Sequence, residues 1–223
     1  MDKSEIRSDI QQIEAFVKPY IYSFKDHYES NLKNCVYWQY ATRGEVFHRG
    51  FYCPTLVMDS VIGNYTRGRK VKKEPAKSPY FRYGFDESEK LLIVDYYDDF
   101  DTHEFLIYEQ DREYGITFQQ SEGITKASQC LFDDKHRLIT YLYFDMFKSG
   151  RSTSYRKECY QYFDENLLVD CYDIFNYNIQ HDKYNFSVKD GYLTQFTIEE
   201  SEFNSIKSVK NINVYKLKKP VCI

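Results

Sequence analysis

Between residues 80 and 198 one phrase of apolar and polar positions recurs: an aromatic residue, an Asp, a few polar positions, an aliphatic pair, then another aromatic. It occupies 80–94, 130–141, 160–169 and 184–193, with its acid at Asp86, Asp133, Asp164 and Asp190. Aromatic and β-branched runs flanking a few turn residues are the pattern of a β-hairpin. The pattern predicts hairpins near 80–97, 103–119, 126–147, 154–175 and 184–198. Turns are expected at Asp86–Lys90, Asp133–Arg137, Asp164–Asn166 and Asp190–Gly191, with a tip at Gln110 to Glu113 and reversals at Gly123 and Gly150. The runs at 91–97, 138–144 and 167–173 hold too many apolar residues for a sheet with one fully wet face. Either both faces are partly covered or one is an aromatic binding surface.

Ahead of the hairpins the period changes. Ile6, Ile10, Ile13 and Val17 recur at three- and four-residue steps, which predicts an amphipathic helix over 4–18 that Pro19 ends. Tyr20 to Phe24 is an aromatic run without a clear period. Residues 35–42 have strand composition, followed by a turn at Arg43–Glu45, and 46–51 and 55–62 read as further strands divided by Pro54. Residues 63–79, with two Gly, two Pro and a cationic run, read as a solvated loop. The tail at 206–218 alternates weakly and predicts a last edge strand whose lysines discourage sheet-to-sheet pairing. The expected fold is mainly β: a large twisted antiparallel meander sheet of repeated β-hairpins with an N-terminal α-helix. We read residues 1–223 as one domain, comprising 1–62 (helix and short strands), 63–79 (basic loop), 80–198 (hairpin sheet) and 199–223 (basic tail). The helix is the best candidate to cover an apolar sheet face.

Composition adds an unusual aromatic load, 23 Tyr and 17 Phe against one Trp. Tyr suits both a partly wet core and a recognition surface, since a flat apolar ring carries a polar tip. The net charge of −4 argues against nucleic acid as a partner. Its distribution is more informative. Residues 67–77 hold six Lys or Arg with Glu74 alone opposing them, and 95–113 hold eight Asp or Glu against Arg112 alone. A surface divided by sign steers a charged partner. Six cysteines without paired spacing, no apolar leader and no 18-residue apolar run predict a reduced, cytoplasmic protein without a membrane partner.

Catalytic and metal motifs are weak throughout. The five histidines form no His-Glu-x-x-His pattern and no Cys-x-x-Cys exists. The stretch from Gly63 to Lys70 resembles a phosphate loop, but Arg69 stands where the Lys is required and Lys70 where a hydroxyl must meet magnesium. An EF-hand starting at Asp99 would need Gly at 104 and Glu at 110, where the chain has Glu104 and Gln110. The expectation is therefore no enzyme, no cofactor and no metal. The candidate contact residues are Tyr96, Tyr97, Asp98, Asp99, Asp101 and Glu104.

The phrase Phe-Asp followed by four variable positions, Leu-Ile and an aromatic resembles the YD-repeat of bacterial Rhs-type proteins. Its best copy is Lys189-Asp190-Gly191-Tyr192-Leu193, and the turn glycine is missing from the copies at Asp86, Asp133 and Asp164. In general character the chain is also similar to immunity proteins of bacterial polymorphic toxin systems. That resemblance implies a non-enzymatic protein that neutralises a basic toxin domain by direct binding, with acidic side chains at 95–113 pairing with a basic cleft. The rival readings are a carbohydrate- or protein-binding sheet without a toxin partner, and an enzyme with a noncontiguous site.

Overall fold

The computed structural model describes residues 3–44, 48–61, 67–146, 154–175, 178–189, 192–202 and 212–220. Among the described residues thirteen strands form one sheet: β1 (Tyr37–Thr42), β2 (Arg69–Val71), β3 (Tyr80–Phe85), β4 (Leu91–Tyr97), β5 (Thr102–Glu109), β6 (Arg112–Gln119), β7 (Gly123–Phe132), β8 (Leu138–Asp145), β9 (Tyr155–Tyr162), β10 (Asn166–Phe175), β11 (Asn178–Lys189), β12 (Tyr192–Glu202) and β13 (Ile212–Pro220). From β3 to β13 spatial order follows chain order, and β1 lies between β3 and β2. Every pairing is antiparallel. The predicted meander is present, and all five predicted hairpins are strand pairs within it.

The turns show why the phrase carries an Asp. Asp86 closes its loop by donating its N–H to Lys90 O at 3.1 Å, while its carboxylate accepts the N–H groups of Ser88 and Lys90. Asp133 repeats this with Arg137 O at 2.9 Å and the N–H groups of Lys135 and Arg137. Each is a three-residue loop ending in a left-handed residue, Glu89 at φ 63° and His136 at φ 59°. The copy at Asp164 turns more tightly, Phe163 N bonding Asn166 O at 2.8 Å. The turn at Asp190–Gly191 and the reversal at Gly150 lie outside the described residues.

Both sheet faces are partly covered. On one, the helical face, α1 (Lys3–Val17) buries Ile6, Ile13 and Val17 against Phe105, Ile116, Phe118, Leu142 and Phe144. A second helix, α2 (Phe24–Asn34), was not indicated by the sequence pattern because its inward stripe, Phe24, Tyr28 and Asn31, is half polar. Asn31 sits where the β4–β5 ladder opens beyond Ile93 and Phe105, and its amide donates to Leu92 O and Leu106 O at 3.2 and 3.0 Å. Backbone carbonyls left by the splayed strands are thereby satisfied.

The opposite face is crossed by residues 48–61, which correct the expectation of strands at 46–51 and 55–62. Arg49 and Gly50 take positive φ of 63° and 55° and open a 3-10 turn over Gly50–Tyr52, which no extended strand tolerates. Thr55 then caps a short helix, α3 (Leu56–Val61), by accepting the Met58 N–H at 3.0 Å. Val57 is buried in a cluster with Tyr141, Tyr160, Leu167, Phe186 and Phe196. The basic stretch is likewise not all loop, since Arg69–Val71 pairs with β1 as an edge strand and Lys70 lies 5.0 Å over the Phe51 ring. The tail supplies the other edge, β13, as its alternation predicted.

Candidate functional site

Three strands place Arg82, Asp95 and His103 directly opposite one another on the helical face, through the registers Arg82↔Asp95 and Asp95↔His103. Asp95 is 0% exposed. Its carboxylate accepts from the Tyr28 hydroxyl at 2.8 Å, from Arg82 Nε and Nη2 at 2.9 and 2.7 Å, and pairs with His103 Nδ1 at 2.8 Å. A buried carboxylate is tolerated only when satisfied in this way. The node also aims the Arg82 guanidinium, which lies 4.5 Å from the Trp38 ring and 5.2 Å from the Tyr97 ring. Gly84 makes room for this stack, since a Cβ there would come within 2.7 Å of the Trp38 ring.

Around the stack the helical face stays half-buried. α2 packs on β4 and β5, whereas Trp38 and Tyr40 on β1, Tyr80 on β3 and Tyr97 on β4 keep part of their surface in solvent. The Tyr80 and Tyr97 rings meet at 4.9 Å, and the Tyr80 hydroxyl donates to Glu74 at 2.7 Å. Burial, followed by this bond and the Glu74 charge, pushes the Tyr80 hydroxyl up to about 12.

The β4–β5 turn borders this surface. Asp98 is half-buried and accepts the N–H groups of Phe100 and Asp101 at 2.9 and 3.1 Å, so its carboxylate fixes the turn. Asp99 and Asp101 are exposed, and between them Phe100 is 71% exposed. Of the residues expected to act together, Asp98, Asp99 and Asp101 lie in the turn that directly follows Tyr97 at the end of β4. Tyr96 and Glu104 do not join them. Strand alternation turns Tyr96 to the opposite face, against Phe81 at 4.6 Å, and buries Glu104 on that same opposite face.

There Glu104 belongs to a buried ionic group. Arg49, 4% exposed, donates through Nε to Glu104 at 2.8 Å, through Nη1 to Glu113, and through Nη2 to Ser128 at 3.0 Å. Burial pushes the Glu104 carboxyl up against the pull of Arg49. It also opposes the charged guanidinium, yet Glu104 and Glu113 outweigh that and keep Arg49 protonated. Further along, Arg156 bridges Glu158, which is 0% exposed, and Asp173 at 2.6 and 2.7 Å, while Glu158 accepts the Tyr160 hydroxyl. His48 lies within 3.2 Å of the Tyr141 hydroxyl and is pushed down to about 3, by burial first and then by Arg156, Lys126 and Arg49. The Arg49 group fastens residues 48–61 to the sheet.

Among the described residues no group of three or more His, Cys, Asp or Glu side chains is arranged to hold a metal ion, and no helix is long and apolar enough to cross a membrane. Cys35, Cys53, Cys130, Cys159 and Cys171 are free thiols. Searches against protein-family models, curated proteins and solved structures find no match to this chain.

Proposed function

We propose that the protein is a non-enzymatic binding protein of the immunity type, which neutralises a cognate bacterial toxin in the cytoplasm by occupying a basic surface of that toxin. The observation that carries the reading is the β4–β5 turn. Asp98 spends its carboxylate on the turn's own backbone, and this holds Phe100 outward between the free carboxylates of Asp99 and Asp101. An exposed aromatic on a braced turn, flanked by acids, supports the reading on two grounds. The backbone ordering cost of the turn is met in part before binding, and the carboxylates steer a cationic partner. The free cysteines are in keeping with a reducing compartment.

The test uses a photo-reactive phenylalanine at position 100 in cells of the native host. The expected product is a cross-link to a basic protein whose expression alone arrests growth and whose effect is relieved by co-expression of this chain. Asp99→Asn with Asp101→Asn, which leaves the Asp98 bonds in place, is expected to weaken that complex about tenfold or more at low salt and to flatten its salt dependence. Protection and affinity unchanged in this variant across salt concentrations would overturn the reading.

A further inference from the structure

The aromatic face beside the acidic turn is half-exposed, framed by charge, and unused by the core. Trp38 and Tyr97 flank the Arg82 guanidinium, whose charge Asp95 already answers, with Tyr40 opposite Arg82 on β1 and Tyr80 against Tyr97. One border is the β4–β5 turn, which follows Tyr97 in the chain and carries the exposed carboxylates of Asp99 and Asp101. The other is the segment after β2, where Lys72, Lys73 and Lys77 are exposed and Glu74 reaches Tyr80.

We propose that this face is the docking site for an arginine-bearing segment of the protein partner, with its guanidinium groups on the Tyr80–Tyr97 rings and paired with Asp99 and Asp101. The proposal rests on the binding-protein reading above and extends it from the turn onto the sheet. A cation over an aromatic face gains from the ring quadrupole, and a planar guanidinium gains more than an ammonium because it also stacks and forks onto carboxylates. The molecule already makes this arrangement once internally, with Arg82 between Trp38 and Tyr97 above the Asp95 carboxylate. Glu74, bonded to the Tyr80 hydroxyl, brings a further carboxylate to the Tyr80–Tyr97 rings. Trp, Tyr and Arg in one half-desolvated patch are the residue types on which binding energy concentrates.

Trp38 is the sole tryptophan of the chain and touches this site, so its fluorescence reports on it directly. The probe is a nine-residue oligo-arginine peptide, with oligo-glutamate as the opposite charge. Oligo-arginine is expected to change Trp38 emission saturably. Tyr97→Ala should weaken its binding about fivefold and Tyr97→Phe should leave it unchanged, since the ring and not the hydroxyl is used. Asp134→Asn with Glu165→Gln, which removes two exposed acids at the far end of the strands, should not matter.

Equal losses from the far-end variant and from Tyr97→Ala, or a Trp38 response to oligo-glutamate that depends on Tyr97 in the same way, would reduce the effect to bulk charge and overturn the proposal. Loss of toxin binding in Asp99→Asn/Asp101→Asn without any Trp38 response to toxin or peptide would leave the turn as the contact and remove the sheet face from it. A Trp38 response that survives in that double variant would do the reverse.

Discussion

Arg49 and Glu104 meet, at 2.8 Å, directly over the one place in β6 where there is no side chain. A Cβ on Gly115 would lie 1.9 Å from Glu104 Oε1 and 2.5 Å from Arg49 Nη2, so the glycine is the floor of the ion pair. The pair ties residues 48–61 to β5, β6 and β7 through Glu104, Glu113 and Ser128. Removing one member of a buried pair leaves the other uncompensated, and Arg49→Ala is expected to cost about 3–5 kcal/mol in urea unfolding. Gly115→Ala should cost about 1–3 kcal/mol by overpacking a site whose carboxylate is pinned and cannot swing aside. A glycine variant as stable as the parent would mean that the pair moves freely.

His48 makes the same region sensitive to acid. Its ordinary value is 6.5, and in the fold it is held down to about 3. Below pH 6.5 the unfolded chain therefore binds a proton that the folded chain refuses, until the pH approaches 3. Stability from this group is complete above 6.5 and falls by up to about 1.4 kcal/mol per pH unit as the pH drops through that window. His48→Gln should flatten the loss between pH 6 and 5 relative to the parent, measured as urea midpoints at fixed m-value.

The hairpins were legible because their signal is local: each turn and its two strands lie within one short stretch of sequence, and alternation sets the faces. Glu89 and His136 occupy left-handed positions where the Asp-anchored loop requires them, at a steric cost that glycine would avoid. Glu89→Gly and His136→Gly are each expected to raise stability by about 1 kcal/mol, read as a higher midpoint in denaturant. A loss of stability in both would show that chain entropy outweighs the strain.

The candidate site was legible only at its turn. Eight acids around one Arg pointed to 95–113, yet linear proximity joined Tyr96 and Glu104 to residues that the pleat turns the other way. Asp95 lies thirteen positions after Arg82 and eight before His103, and two strand registers bring the three side by side. The available signal was a carboxylate inside the apolar run Leu91–Tyr97, where an acid needs partners. Residues 48–61 carry the aromatic and β-branched composition of strands, while the left-handed pair Arg49–Gly50 and the Thr55 cap set the backbone instead.

Asp95 offers the sharpest separation between a site that is held and one that merely fills space. Four donors converge on it, two from Arg82 and one each from Tyr28 and His103. Asp95→Asn keeps the shape but removes the charge and turns an amide toward one of those donors, leaving the Arg82 guanidinium without its counterion. The expected cost is about 3–5 kcal/mol. The stack should loosen with it, and the emission of Trp38 should shift because the guanidinium 4.5 Å above its ring is no longer anchored. Tyr28→Phe deletes one neutral donor from α2 and should cost about 1 kcal/mol with little change in emission. If Asp95→Asn proves no more costly than Tyr28→Phe and leaves Trp38 emission unchanged, the carboxylate does not hold the aromatic face in place, and the rings are ordered by packing alone.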